Sequence, residues 1–459
     1  MEIFLPREGG SMSIIFCLFA FLLINFLGMF YLFSKKEWPL SNTKEGSCKE
    51  SASGQEKFIL LSLLCAPVAA APLGGMLALR LALWIVFCLI GIFLIRQKQK
   101  SSVSSPVLFF YSIYLIWLAY GLFYTSDIWM GARVFMKYLF PCLMMLMAQK
   151  FVTKPQVFWQ GCRNAWKSLT IVILAYYFFF LTESDLIGYF VGGMFYFVAG
   201  IIDSTCVLLL VSYLLWRHER NPLFILSSTI ALFTPVVFRI RTGIVGITIC
   251  IAAALTFKYK EKALIFLLFP FILGAVLMLK VPQLREKMFY NPSKFENMSI
   301  MDVADRVSWE DINSSGRFFM WERLLKTFYS PSPLCGSGLG STQALLYREH
   351  EKQGGLSVAH SDYVQILCDS GLIGLILYMI SVLFFWLDCM SLYRNPARSK
   401  ECRWAALIAG ATLAGLAAAM MTDNAVNYSM TTFLFPFTFY GIAKGLEQHE
   451  LQRNHTPLQ

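Results

Sequence analysis

Long apolar stretches recur along the whole chain and are separated by mostly short polar segments. Most stretches are about 15 to 25 residues long, the length that an α-helix needs to cross the hydrocarbon core of a bilayer. Because backbone groups in lipid must be hydrogen-bonded within the segment, these stretches are expected to be helices. The pattern predicts an all-α polytopic membrane protein with about 12–13 transmembrane helices. The predicted spans are residues 12–33, 58–73, 76–95, 106–124, 129–148, 168–182, 194–216, 222–238, 243–257, 263–280, 363–390, 404–422 and 428–445.

One polar segment, residues 281–360, is much longer than the others. It contains amphipathic stretches, so it is expected to form a large loop with short helices. The remaining boundaries follow from the predicted spans. Residues 1–57 form an N-terminal extra span with a cytoplasmic linker, 58–280 a transmembrane helical bundle, 361–446 the C-terminal transmembrane helices and 447–459 a cytoplasmic tail.

Composition and charge agree with a membrane protein. Hydrophobic residues make up 57% of the chain and charged residues 15%, whereas soluble domains carry about 25% charged residues. The formal net charge is +11, but the basic side chains cluster in short loops between spans, where they set topology and meet membrane lipids rather than nucleic acid. These loops fall on one side, which the positive-inside rule makes cytoplasmic. The 281–360 loop is therefore expected to be extracytoplasmic.

The middle of this loop, residues 313–328, predicts an amphipathic helix. Ser314 or Ser315 would cap it, with Arg317 in the first turn and Trp321 on the apolar face. Arg317 is either a phosphate contact or a solvated surface residue. Trp321 either stacks on a sugar or packs in a core.

A glycine-rich segment, residues 335–343, follows this helix. Its sequence, CGSGLGSTQ, is superficially similar to a dinucleotide-binding fingerprint, but no strand or βαβ unit precedes it. It is interpreted as a flexible turn, with a backbone nest near a phosphate as the functional alternative.

Two polar pairs lie at the outer ends of predicted spans. Arg239 and Arg241 place positive charge on the outer side, against the topology signal. They either snorkel to lipid headgroups or pair with an acidic loop residue, or they form an anion site that faces the loop. Asp423 and Asn424 either line the same cavity and touch sugar hydroxyls or cap helices.

His360 ends the polar loop immediately before a predicted span. An imidazole can accept a proton from an attacking hydroxyl at neutral pH, although a lone histidine is more often structural. The acidic residues of the loop match no metal-binding spacing, and no metal site is predicted. These acidic residues are Asp302, Asp305, Glu310 and Asp311.

The context of His360 is the sequence HSDYVQILCDSGLIG, residues 360–374. It resembles the O-antigen ligase and polymerase superfamily, whose hallmark is His, then Asn, Ser or Gln, nine residues, and Gly-x-x-Gly. The hallmark is complete at His360, Ser361, Gly371 and Gly374. The two glycines are expected one turn apart on the helix that follows, where they allow close packing.

The resemblance extends beyond this motif. It includes Gly-Arg-x3-Trp at Gly316, Arg317 and Trp321, and an Arg-small-Gly sequence at residues 241–243. It also includes the plan of about twelve spans with one large outer loop before the last helices. The resemblance thus covers most of the chain after residue 57.

Members of this superfamily transfer a glycan from an undecaprenyl-pyrophosphate carrier to an acceptor outside the cytoplasmic membrane. The resemblance implies ligation to lipid A-core on the periplasmic side of a bacterial inner membrane. It implies His360 as general base and Arg241 and Arg317, with Arg239 beside them, as ligands of the pyrophosphate. No cofactor is implied, because the pyrophosphate is already a good leaving group. Weaker substrate contacts are predicted at Trp321, Asp423 and Asn424.

Three other functions stay open at this stage. An O-antigen or exopolysaccharide polymerase and a protein O-oligosaccharyltransferase of the same superfamily share the motif and differ in acceptor. A secondary transporter would also be polytopic, but it should show inverted repeats and charges near the bilayer midplane. No internal repeat is evident, and Asp203 is interpreted as the only clear candidate for a buried acid within a predicted span. Transport is therefore the less favoured alternative.

Overall fold

A computed structural model describes residues 53–69, 105–182, 198–238, 240–260, 285–286, 289–295, 308, 311–312, 314, 316–353, 357–429 and 432–455. Every regular element in these residues is helical, so the predicted all-α fold is confirmed. The helices are α1 Gly54–Ala69, α2 Pro106–Gly121, α3 Ile128–Phe151, α4 Pro155–Thr182, α5 Val198–Glu219, α6 Pro222–Val237, α7 Arg241–Tyr259, α8 Arg317–Leu324, α9 Ser341–Gln353, α10 Asp362–Arg394, α11 Lys400–Ala419 and α12 Leu434–His455. A π-helical turn, Leu325–Tyr329, continues α8, and 3-10 turns lie at Pro292–Phe295 and Ala425–Tyr428.

Four of the described helices, α3, α7, α10 and α11, are long and apolar enough to cross a membrane. Helix α2 and the segment Pro222–Pro235 are shorter apolar helices. These helices confirm a polytopic α-helical membrane protein. The total of 12–13 spans stays a prediction, because the predicted spans 12–33, 76–95 and 263–280 lie outside the described residues.

Local sequence signals explain where several helices begin. The Asp127 side chain accepts a hydrogen bond from the Met130 amide at the start of α3, and the Ser399 side chain accepts one from the Cys402 amide at the start of α11. Proline occupies the first position of α2, α4 and α6, where its missing N–H leaves no intrahelical bond unmade. These signals satisfy or remove amide groups that helix ends otherwise leave unpaired.

Small residues let α11 and α12 pack closely against their neighbours. A Cβ added at Gly415 of α11 would lie 2.6 Å from the carbonyl oxygen of Gly246 in α7. A Cβ at Gly441 of α12 would overlap the carbonyl oxygen of Met145 in α3. Small interfacial residues bring helix backbones together where lipid removes the hydrophobic driving force. Of the four candidate spans α11 is the most buried, so the turn that leaves it at Ala419 starts from a fixed position.

The glycine-rich segment 335–343, here called the glycine wedge, is tightly packed, and its interpretation as a flexible turn is wrong. Its backbone has positive φ at Gly336, Gly338 and Gly340. A Cβ added at Gly336 would lie 2.5 Å from the amide nitrogen of Gly371, and one at Gly338 would lie 2.5 Å from the Cα of Thr125. The wedge fills the space between α10 and the α2–α3 connection, where only glycine combines this φ with this proximity.

The amide groups of the glycine wedge bind a side chain of the protein itself. Asp369 of α10 accepts hydrogen bonds from the amides of Gly340 and Thr342, each at 2.9 Å. Thr342 lies in the first turn of α9, where helix dipoles favour negative charge. The nest considered for a phosphate is therefore filled by the Asp369 carboxylate.

Two aromatic side chains join the α2 end of the molecule to this region. Trp117 donates from Nε1 to the carbonyl oxygen of Ser370 at 2.9 Å, and Tyr124 donates from its hydroxyl to that of Cys335 at 2.8 Å. Burial raises the pKa of Tyr124 to about 12. The hydroxyl therefore stays protonated and keeps donating at neutral pH.

Helix α10 is broken at the first hallmark glycine. Gly371 has φ 66° and ψ −171°, so two helical segments meet there. A Cβ at this position would overlap the backbone of Leu334, whereas one at Gly374 would overlap the side chain of Ser370 and approach Trp117. The expectation that both glycines are helical packing positions is wrong for Gly371, which is the break itself.

We expect Gly336→Ala to lower the free energy of unfolding by about 3 kcal/mol, because it combines left-handed strain with steric overlap. Gly316→Ala is the matched control: its φ is 78°, but nothing lies within 4 Å of the added Cβ. The control should lose only the strain contribution, about 1 kcal/mol. Apparent melting temperatures of the detergent-purified proteins measure both. Equal losses in the two variants would contradict the packing of the wedge.

Candidate active site

Several predicted site residues from separate parts of the chain converge on the connection between α11 and α12, residues 419–427, here called the 419–427 turn. The contacts are Ile240 with Ala419, Arg317 with Thr422, and His360 with Asp423. Ile240 directly precedes Arg241, so the start of α7 lies beside this turn as well. The turn thus brings the loop histidine and two cationic helix starts to one end of the helical bundle.

His360 is held in an unusual backbone conformation. Its φ is 48°, in the left-handed region that costs a non-glycine residue about 1–2 kcal/mol. Its neighbours are fixed: Trp321 Nε1 donates to the carbonyl oxygen of Ala359 at 2.6 Å, and the Ser361 side chain accepts from the amide of Val364 to cap α10. The imidazole is 24% exposed, so it is accessible at the start of the helix.

Asp423 lies beside this imidazole. Its Oδ1 is 3.9 Å from Nδ1 of His360, which is beyond hydrogen-bond distance, so the interaction is electrostatic. Nδ1 is buried and has no hydrogen-bond partner among the described residues. Asp423 therefore places a carboxylate oxygen beside one face of the imidazole.

A buried carboxylate fixes the turn that carries Asp423. Asp362 is 1% exposed. It accepts hydrogen bonds from the Val426 amide at 3.1 Å and from Asn424 Nδ2 at 3.3 Å. Its own amide nitrogen contacts the carbonyl oxygen of Asp423 at 3.2 Å. Asp362, two residues after His360, thus holds three positions of the turn.

Asn424 is buried within this network. Its Nδ2 donates to Asp362 and, at 3.2 Å, to Oε1 of Gln365. Its Oδ1 is also buried and has no partner among the described residues. The Asn424 amide therefore supports the turn from inside, and its contact with a substrate stays a prediction.

Arg317 begins α8 and reaches the turn directly. Its Nη1 donates to the carbonyl oxygen of Thr422 at 2.7 Å. The capping position is occupied by Gly316 with φ 78° and no side-chain cap, not by Ser314. Ser314 Oγ nevertheless accepts a hydrogen bond from the amide of Phe318, the second residue of α8, at 3.3 Å, so its side chain serves the first turn as predicted. The alternative cap, Ser315, lies outside the described residues.

Arg241 begins α7 and is exposed. Its guanidinium is close enough to that of Arg317 for the two positive charges to repel. Two neighbouring guanidinium groups offer forked donors that match the oxygens of a phosphate. The third predicted cation, Arg239, lies outside the described residues.

Trp321 packs beside the segment that carries His360. Its ring lies 5.4 Å from that of Phe318, and it packs beside Met320 and Leu324. Together with its hydrogen bond to the residue before His360, this packing supports the histidine. The contact of Trp321 with a sugar stays a prediction.

Two polar residues of α10 contribute to the site but were not predicted from the sequence. Gln365 accepts from Asn424, and Asp369 holds the glycine wedge. With Asp362 they are spaced i, i+3 and i+7, which places all three on one helical face. This polar stripe on an otherwise apolar helix was the available signal.

The groups around the 419–427 turn complement one another chemically. An imidazole beside a carboxylate can accept a proton from a hydroxyl. A guanidinium pair can stabilise negative charge that develops on a departing group. The arrangement therefore suits a transfer in which a hydroxyl attacks and an anion leaves.

Residues 224–379 match the family model described as O-Antigen ligase. The match begins in α6 and ends in α10, so it includes Arg241, Arg317, His360 and both hallmark glycines. No curated protein gives a significant match to the chain. With the hallmark inside the matched segment, and with an all-helical membrane fold around it, this match supports the resemblance to the O-antigen ligase superfamily.

Proposed function

We propose that the protein is a glycosyltransferase of the O-antigen ligase type. It transfers a glycan from undecaprenyl pyrophosphate to a lipid A-core acceptor on the periplasmic side of the bacterial inner membrane. The observation that carries the proposal is that His360 and Arg317 both contact the 419–427 turn. Ile240, the residue before Arg241, packs against Ala419 at the start of the same turn. The membrane helices support access for lipid-linked substrates, and the distribution of basic loops supports a periplasmic site.

Arg241 and Arg317 bind the pyrophosphate and stabilise it as it leaves. Guanidinium groups remain charged at every physiological pH, and their forked donors match phosphate oxygens. Negative charge grows on the bridging oxygen as its bond to the anomeric carbon breaks. Cations that are already in position next to this oxygen lower the activation barrier of transfer, because they need not move as the charge develops.

His360 acts on the acceptor hydroxyl. The hydroxyl oxygen forms the new bond to the anomeric carbon, and its proton moves to Nε2, the nitrogen opposite the one beside Asp423. The bonding pair of the old glycosidic bond leaves with the pyrophosphate. Asp423 then faces an imidazolium and stabilises it. Attack opposite the leaving group inverts the anomeric configuration.

We expect His360→Ala to lose transfer activity by a factor of about 10² to 10⁴, the usual contribution of a general base. The matched control is His350→Ala, which removes the other histidine of the 281–360 loop and should retain activity. Lipopolysaccharide gels of a deletion strain complemented with each variant give the readout, and immunoblots of membranes check abundance.

The gel also separates the proposal from its alternatives. Ligation predicts that His360→Ala removes all polymer from lipid A-core while polymer accumulates on the carrier lipid. Core with one repeat and no ladder would identify a polymerase instead. A ladder unchanged by deletion would overturn the assignment to lipopolysaccharide and direct the search to protein acceptors.

We expect Arg317→Met to lower kcat/KM about 10²-fold, because one charge facing the leaving group is lost. Arg323→Met is the control on the same helix: Arg323 is exposed and pairs with Glu349 at 2.6 Å, and such surface pairs contribute little. Initial rates of transfer in detergent, with donor concentration varied, measure both variants. Similar losses in the two would show that Arg317 acts through general surface charge.

We expect Asp362→Asn to lower kcat at least about tenfold, because the amide can accept at only one of the two positions that the Asp362 oxygens serve. A buried donor left unpaired costs about 1–3 kcal/mol and loosens the turn that carries Asp423. Asp388→Asn is the control at the far end of α10, where Asp388 accepts from the Tyr440 hydroxyl at 2.6 Å. Both variants should melt at lower temperature, but only Asp362→Asn should lower kcat. If kcat falls equally in both at matched folded fraction, Asp362 has only a structural role.

A further inference from the structure

Two basic residues lie deep in a candidate membrane span, apart from the arginine pair already described. Arg133 and Lys137 are four residues apart on α3, so they share one helical face. Lys137 lies about 14 Å along the helix from its first residue, Ile128. Charge at such a depth is costly in a bilayer and marks a functional site by default.

The polar neighbours of Lys137 are neutral. Its Nζ donates to Oδ1 of Asn427 at 2.5 Å, and Gln343 Nε2 contacts the same oxygen at 3.4 Å. Within the described part of the chain, neither Arg133 nor Lys137 has a carboxylate oxygen within 4.0 Å. The pair therefore carries positive charge that no adjacent acid neutralises.

One carboxylate does act on Lys137 from a greater distance. Asp362 attracts it electrostatically while Arg133 repels it. The Asp362 oxygens already accept from Asn424 and the Val426 amide. Asp362 therefore leaves Lys137 without a direct anionic ligand.

A second observation points to a ligand at this place. Gln343 is 4% exposed, and its Oε1 has no hydrogen-bond partner among the described residues. Its Nε2 shares Asn427 with Lys137, so an unused acceptor lies next to an unneutralised cation. A phosphate next to a hydroxyl would satisfy both, because the phosphate pairs with the cations and the hydroxyl donates to Oε1.

We propose that Arg133, Lys137 and Gln343 form a second anion subsite, which binds a phosphate of the lipid acceptor. This inference rests on the proposed function, in which two lipid-linked substrates meet at one site. Arg241 and Arg317 serve the donor pyrophosphate from α7 and α8. The new subsite approaches the same turn from α3, at Asn427. A phosphorylated glycolipid such as lipid A has the required chemistry: a phosphate attached to a hydroxyl-bearing sugar.

The test uses the full chain in phosphatidylcholine nanodiscs, with native mass spectrometry to count bound lipids. Four probes are compared: lipid A with both phosphates, dephosphorylated lipid A, farnesyl pyrophosphate as a donor analogue, and phosphatidylglycerol as a bulk anionic lipid. The variants are Lys137→Met, Arg133→Met and Lys137→Arg. The matched control is Lys150→Met, the same substitution in the last turn of the same helix.

We expect the wild-type protein to bind lipid A at least about tenfold more tightly than its dephosphorylated form, the effect of one charge-assisted contact. Lys137→Met and Arg133→Met should abolish this difference and leave farnesyl pyrophosphate binding unchanged. Lys137→Arg should restore it in part, and Lys150→Met should behave as wild type. Arg133 is half-buried, so its variant carries the test if Lys137→Met does not fold.

Three results would overturn the subsite. Lipid A binding that survives both methionine variants would exclude it. A loss confined to farnesyl pyrophosphate would assign the cations to the donor, and an equal loss for phosphatidylglycerol would make them a general headgroup anchor. The proposed function fails separately, if wild type does not bind farnesyl pyrophosphate or if Arg317→Met leaves that binding intact.

Discussion

The carboxylate of Asp362 is the group on which the geometry of the site depends. Removing a carboxylate from water is costly unless hydrogen bonds replace its hydration. Here the replacement comes from the Val426 amide and the Asn424 side chain, so the 419–427 turn must close around Asp362, two residues after His360. The same turn carries Asp423 and accepts a hydrogen bond from Arg317 at Thr422. Burying the Asp362 carboxyl group therefore places the base, its carboxylate neighbour and a cation relative to one another.

A second carboxylate on α10, that of Asp369, fixes the glycine wedge. Asp369 uses both oxygens to bind amides of the glycine wedge, and the break at Gly371 gives the wedge the space it occupies. This explains why the first glycine of the pair, Gly371, cannot be replaced by another small residue. Because Asp369 already binds the amide groups of the glycine wedge, this backbone nest cannot bind an anionic substrate. Phosphate must therefore be bound by side chains.

Sequence patterns predicted the parts of this structure that depend on neighbouring residues, and they failed where distant segments meet. Apolar length and capping residues located the helices, and the spacing around His360 located the histidine at a helix start. The meeting of Arg241 with Arg317 depends on how α7, α8 and α11 pack, and no local pattern encodes it. Gly371 was misassigned because Gly-x-x-Gly also fits a continuous helix. The role of Asp369 follows only from the position of the wedge.

The attachment of separate groups to a single short turn bears on how such a site would work. Transfer between two lipid-linked molecules gains mostly from placement, because holding two reactants in register is worth up to about 7–11 kcal/mol. Arg317 contacts the turn at Thr422, His360 at Asp423 and Lys137 at Asn427. Because these contacts lie within one tightly hydrogen-bonded segment, the distances between cations and base are set by that segment rather than by mobile loops. A disturbance of Asp362 would then shift the donor side and the acceptor side together. Its effect should therefore appear in the rate of transfer more than in the affinity for either substrate alone.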